Sequence, residues 1–129
     1  MAKMRCKIFV KITRKENSLM ADFLLKPEEI KQLTDIRGGC LASNKITVDG
    51  EKVGHAYREE PDTSFPNDSG WRFLAGTEDN DYSKNPNNFN VFEINTIRNY
   101  DNAILPILKS EIGSSFTRKG DLLIKDDKE

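Results

Sequence analysis

Apolar and polar residues alternate with a two-residue period along much of the chain, the mark of strands with one buried face. Cys6, Ile8, Val10 and Ile12 alternate with Arg5, Lys7, Phe9 and Lys11. A polar, turn-like stretch over 14–18 follows, and then Leu19, Ala21, Phe23 and Leu25 share one face, so the two runs predict a hairpin. Lys26-Pro27-Glu28-Glu29-Ile30 predicts a helix start, because proline is tolerated in a first turn and acids suit the positive end of the helix dipole. Ile30, Leu33 and Ile36 or Arg37 form its inner stripe, and Gly38-Gly39 ends it.

Further on, 40–42 predicts a short buried strand. Ile46 and Val48 lead into Asp49-Gly50, a two-residue hairpin signal, with 51–58 as the return strand. The stretch 61–70 has no periodicity and reads as a loop. In 70–75, Trp71, Phe73 and Ala75 face one way and Arg72 and Leu74 the other. A second long polar loop spans 76–90, and 91–94 is another strand. Thr96 and Asp101 are plausible N-caps for helical spacing at Ile97, Ile104, Leu105, Ile107 and Leu108, which Pro106 splits into short pieces. A final hairpin turns at Lys119-Gly120, and 126–129 is a charged tail expected to fray. The sum is a single α+β domain: a mainly antiparallel β-sheet with about two helical regions, the segment 1–39 packing its hairpin and helix on the same core as 40–125.

Composition narrows the class. The 129 residues suffice for one core without staples. Apolar content is 36% and charged content 32%, which suits a small soluble domain. No apolar run approaches the roughly 20 residues of a membrane span, and the basic N-terminus has too short an apolar stretch for a signal sequence. A cytoplasmic location follows as the expectation, and it agrees with Cys6 and Cys40 as lone thiols, small buried side chains without disulfide or metal spacing. Charge is lopsided. Residues 1–15 hold six bases and no acid, whereas 49–81 hold nine acids against three bases. Such asymmetry bears on partners and association rates.

Candidate chemistry is sparse. His55, the single histidine, alternates with Val53 and Tyr57 and reads as a packed strand residue. One imidazole without spaced cysteines makes no zinc site, and a Ser69–His55 dyad lacks an orienting third group. Asp79-Asn80-Asp81-Tyr82-Ser83-Lys84 begins like a calcium loop, but Lys84 stands where the turn glycine belongs and Asn90 where a bidentate Glu belongs. It reads as a solvated acidic loop. Trp71 and Phe73 read as core, with Trp71 as an interface anchor in the sharper alternative. The outward row Arg5, Lys7, Phe9 and Lys11 reads as an aggregation-blocking strand face, and alternatively as a strip for single-stranded nucleic acid. A small-ligand or enzymatic site beside His55 is a further alternative.

Over about 40–118 the sequence resembles the bacterial immunity protein 33-like family. The residues that carry this are Val53-Gly54, Tyr57-Arg58-Glu59-Glu60-Pro61, Asp68-Ser69-Gly70-Trp71-Arg72-Phe73, Gly76-Thr77-Glu78, Asn85-Pro86-Asn87-Asn88, Asn95-Thr96-Ile97 with Asn99-Tyr100-Asp101, and Gly113-Ser114-Ser115-Phe116. The run from Asp68 to Phe73 is the most specific piece; His55-Ala56 and Asn102 depart from the family's usual residues. The resemblance implies an immunity-type protein that binds and neutralises a cognate toxin in the cytoplasm. It implies no catalytic machinery, and the residues themselves call for no cofactor, metal or membrane and set no oligomeric state. Many such toxins are nucleases with basic clefts, which an acidic face would steer toward and cover. The expected partner contacts are Glu59, Glu60, Asp62, Phe65, Trp71, Glu78, Asp79, Asp81 and Tyr82. Asp68, Ser69, Gly70, Arg72 and Phe73 read instead as a structural signature, with Gly70 permitting the turn into the strand and Arg72 held by Glu59 or Asp68.

Overall fold

The computed structural model describes residues 23–65 and 67–126. The alternating runs become β1 (Gly39–Ser43), β2 (His55–Arg58), β3 (Asp68–Leu74), β4 (Phe89–Glu93), β5 (Ser115–Lys119) and β6 (Leu122–Lys125). Between them lie three short helices, α1 (Asn44–Thr47), α2 (Asn80–Lys84) and α3 (Ile94–Tyr100), and 3₁₀ turns at Pro27–Glu29, Pro86–Asn88 and Asn102–Ile107. The strands form one sheet in the order β4-β1-β3-β2-β5-β6. Every pairing is antiparallel except that of β1 with β3. The expected α+β class with a mainly antiparallel sheet is what the chain adopts, although its helical pieces are shorter and more numerous than two regions.

Register explains the core. Ala42, Phe73, Ala56 and Phe116 line up across β1, β3, β2 and β5. Phe92, Cys40 and Trp71 form the next row across β4, β1 and β3. Ile94 and Ile97 of α3 join them in one buried cluster, together with Ile104, Ile107 and Leu108 from the 3₁₀ turn that follows. That turn contains Pro106, and Asp101 caps it by accepting from the Ala103 N–H at 3.0 Å. Asp101 is itself buried and also accepts from Val53 N–H and Arg118 Nη1 at 2.9 Å each, so one carboxylate ties the 3₁₀ turn to the approach to β2 and to β5. Thr96 is not a cap; Glu93 holds that position before α3.

Three local expectations are corrected. The helix expected from Pro27 to Arg37 is a single 3₁₀ turn, after which the chain runs extended. The reason lies far away in sequence. Asn95 accepts from Leu33 N–H and Thr34 N–H and donates to Lys31 O; Asn99 accepts from Lys31 N–H and donates to Lys31 O. Side chains of α3 thus take the main-chain bonds that a helix would have made. At Asp49-Gly50 there is no hairpin. Ser43 accepts from Lys45 N–H at 3.1 Å and caps α1, which consumes the residues expected to lead into the turn. The loop over 76–90 carries α2 and a 3₁₀ turn. The hairpin expected over 5–25 falls, up to residue 22, outside the described residues, as does the tail from 127. Asp126 is fastened, its N–H donating to Ser115 O at 2.9 Å.

Candidate functional site

The two faces of the sheet are unequal. The face that carries Trp71, Phe73 and Ala56 is covered by α3 and the 3₁₀ turn after it. The opposite face carries, in register, Val91, Leu41, Arg72 and Tyr57 in one row and Leu74, His55, Thr117 and Ile124 in the next. No long helix covers this side among the described residues. The loop after β2 lays Phe65 over the Arg72 guanidinium, 5.8 Å from the ring centre. At the other end Tyr82 of α2 meets Phe89 edge-on at 5.9 Å. Arg72 and Phe89 beneath these covers are buried, and so is Leu41 between them in the sheet. The covers leave His55, Tyr57 and Leu74 half-buried and Thr117 and Ile124 exposed. A half-open patch therefore lies over β2, β5 and β6.

Arg72 is the electrostatic centre beneath this face. Its Nε donates to Glu59 Oε2 at 2.7 Å, and Nη1 and Nη2 donate to the two oxygens of Asp68 at 2.9 and 2.8 Å. The Asp68 side chain is 1% exposed and that of Glu59 is 34% exposed. Burial works against the charged guanidinium, but the hydrogen bonds from Asp68 and Glu59 outweigh it and hold Arg72 above its ordinary range. Asp68 does more than neutralise. It accepts from Asp62 N–H at 2.7 Å and from Gly70 N–H at 2.9 Å, so the same carboxylate closes the loop that leads into β3. Ser69 donates to Gly39 O at 2.6 Å and accepts from Trp71 N–H at 3.2 Å, joining β3 to β1. Phe73 stacks on Trp71 at 5.7 Å. All five residues of the expected signature are thus engaged within the fold.

The expected partner residues divide. Trp71 is fully buried, donates from Nε1 to Leu108 O at 3.2 Å and lies under Arg58, so it presents no surface and its reading as an anchor is corrected. Phe65 is buried too, because it is the lid on Arg72. Glu60 and Asp62 are exposed in the loop before β3. Asp62 accepts from Ser64 N–H at 2.8 Å, and that bond with the Ser64 hydroxyl keeps its carboxyl below the usual range. Glu78 accepts from Ala75 N–H and Gly76 N–H at 2.8 and 2.9 Å, closing the turn after β3. Asp79 caps α2 through Tyr82 N–H at 2.8 Å, which accounts for the calcium-like spelling by ordinary helix capping. Asp81 is exposed, and Tyr82 is half-buried with Lys45 Nζ over its ring at 5.1 Å. The two acidic segments therefore stand before and after β3, separated by about 20 Å of extended chain, with the half-open patch beside that strand on its β2 side.

His55 and Ser69 do not meet. His55 pairs with Leu74 and Ser69 lies five positions back along the same strand, on the order of 15 Å away. The Tyr57 ring lies 5.7 Å from the His55 ring, and the carboxylates of Asp126 and Glu78 act on the imidazole through their charge. Asp126 accepts from the hydroxyls of Ser115 and Thr117 at 2.7 Å each. Those bonds keep its carboxyl below its ordinary value although burial opposes this. Burial pushes the His55 imidazole below its ordinary value, more than Asp126 and the Phe116 carbonyl push it up. The unfolded chain takes up a proton at this residue as the pH falls through about 6.5, and the folded chain lags behind it. Stability is therefore complete above that pH and declines below it. Chemical denaturation between about pH 7 and 5 is expected to show this decline, and His55→Gln to flatten it. The Cys40 thiol, fully buried, is pushed far above its usual range and takes no part in surface chemistry.

Alternation alone could not reveal the patch. The signal for its outer edge was Leu122-Leu123-Ile124, three consecutive apolar residues in a strand, which must put apolar side chains on both faces. With this geometry in view, comparison with known proteins is decisive on one point. The Immunity protein Imm33 domain matches residues 40–125. The chain belongs to the Imm33 immunity protein family. No curated protein and no solved structure matches the chain. The Imm33 domain marks a role in immunity to a toxin, and it points to a non-enzymatic one. The described strap from 23 to 38 precedes the matched region. Among the described residues no helix is long and apolar enough to cross a membrane.

Proposed function

We propose that this Imm33 protein acts in the cytoplasm by covering a basic surface of a cognate toxin, with the half-open sheet face and its two acidic ends as the contact. The observation that carries this reading is the placement of Glu60 and Asp62 at one end of β3 and of Asp79 and Asp81 at the other. Between them Tyr57, His55 and Leu74 supply amphipathic and apolar area. An apolar centre with a charged rim is the usual anatomy of a specific protein interface. Acids at both ends steer a basic partner and fix its orientation. Neutralisation is by occlusion, and the protein itself breaks no bond.

The test is growth of cells that carry the toxin encoded beside this chain, with and without the immunity protein, paired with binding kinetics. Glu60→Lys combined with Asp81→Lys reverses one exposed acid at each end. It is expected to slow association by about tenfold or more at low salt while dissociation changes little. The same reversals at Glu28 and Asp35, exposed on the strap, serve as the control and leave binding unchanged. Equal association rates for both double variants, or no rescue by the parent protein, would remove this face as the toxin site.

A further inference from the structure

The edge of the sheet at β6 has a pattern that suits a second copy of the same chain. Among the described residues β6 pairs with β5 alone, and its other side is a strand edge that none of them occupies. The hairpin closes with Lys119 opposite Leu122. In a two-residue hairpin the closing pair exchanges both ladder bonds, and bonded and non-bonded positions alternate from there. Leu122 and Ile124 hence spend their main-chain groups on β5, and the Asp126 N–H to Ser115 O bond continues that period. Leu123 and Lys125 turn their main-chain groups outward. Leu122 is 58% exposed and Ile124 41% exposed, two of the large apolar side chains left most open to solvent. An edge of this kind templates another strand unless something blocks it.

We infer that β6 pairs antiparallel with β6 of a second copy about a two-fold axis through Leu123, which joins two sheets into one. Parity permits this register, because the outward-facing groups of Leu123 meet their own equivalents. Side-chain matching selects it. Leu122 comes opposite Ile124 of the second copy, and Ile124 opposite its Leu122, on the half-open face. Asp121, in the turn just before β6, comes beside Lys125 at the end of β6 in the second copy, twice by symmetry. Opposite charges across a strand pair add to stability and like charges subtract from it. The neighbouring register, centred on Ile124, sets Leu122 against Asp126, wastes the apolar pair and displaces a carboxylate already bound to Ser115 and Thr117. The contact is isologous and closes at two copies. It is smaller than the roughly 1,600 Å² of a standard interface, so the dimer dissociates on dilution. This inference stands on the β6 edge and needs no toxin.

Sedimentation equilibrium of the full chain over a wide concentration range tests it. The expected result is a reversible monomer–dimer equilibrium. Ile124→Glu is expected to abolish the dimer without lowering the melting temperature, since the side chain is exposed in the monomer. Asp121→Lys and Lys125→Asp each place like charges opposite one another twice and are expected to weaken association about tenfold. The double variant Asp121→Lys/Lys125→Asp restores the pairing with the signs exchanged and is expected to return to within about threefold of the parent. A monomer at every concentration up to the solubility limit overturns the proposal. So does a dimer indifferent to all four variants, which would lie on another surface, and so does a double variant as weak as the worse single one.

Discussion

Arg72→Met is expected to cost about 3–5 kcal/mol of folding stability, a loss out of proportion to a change that keeps most of the side-chain volume. The substitution leaves the packing under Phe65 nearly filled but strips the cation from between Asp68 and Glu59. Asp68 is then a carboxylate without a counter-charge whose side chain is 1% exposed. Glu59 suffers less, because a third of its side chain already reaches solvent. The penalty is thus one of orphaning, not of losing an attractive pair, and the two accounts separate in a double variant. Arg72→Met with Asp68→Asn removes both charges and keeps a side-chain oxygen for Gly70 N–H, while the Asp62 N–H loses its acceptor. It is expected to be more stable than Arg72→Met alone, giving a coupling energy of about 2 kcal/mol. Urea denaturation at neutral pH checks this through the midpoint, with an unchanged slope showing that the native state is otherwise intact. If the double variant is no better than the single, the triad acts through packing and the charges are incidental.

The same triad shows what was legible in the sequence. That Arg72 would be held by Glu59 or Asp68 was readable, because a basic residue amid a strand needs a counter-charge and those acids flank it. That Arg72 would be buried was not. Alternation with Trp71 and Phe73 suggests an outward, wet position, yet Phe65 from an aperiodic loop folds over it. The loop has no period to read, so its landing place is invisible to pattern. The strap from 30 to 37 fails for a related reason. Its local signals of proline, acids and spaced apolar residues are those of a helix, and they are outvoted by Asn95 and Asn99, more than sixty positions away. Strands fared better, because a half-buried strand records its environment in its own period. The candidate site was legible as two acidic segments. Their placement at opposite ends of one strand, and the patch over β2, β5 and β6 beside that strand, required the sheet order.

Gly70→Ala is the second substitution expected to cost about 3 kcal/mol or more, and it probes the motif from the backbone side. Gly70 lies within β3 at φ 92°, where an L side chain is strained. A Cβ added there would sit 2.1 Å from the carbonyl oxygen of Glu59. That approach exists because Glu59 N–H donates to Gly70 O at 2.9 Å, holding the end of β2 tight against the start of β3. Backbone must therefore yield, and what yields is the residue whose carboxylate grips Arg72. The comparison is Gly113→Ala. Gly113 has φ 101°, so the conformational strain is similar, but its added Cβ would meet nothing within 4 Å. It is expected to cost only about 1–2 kcal/mol. The difference between the two denaturation midpoints isolates the close approach from the dihedral. Near-equal losses would mean that β2 and β3 can part at Glu59 without disturbing the Arg72 site. A much larger loss at Gly70 would identify the small residue before Trp71 as the condition on which that buried charge network is assembled.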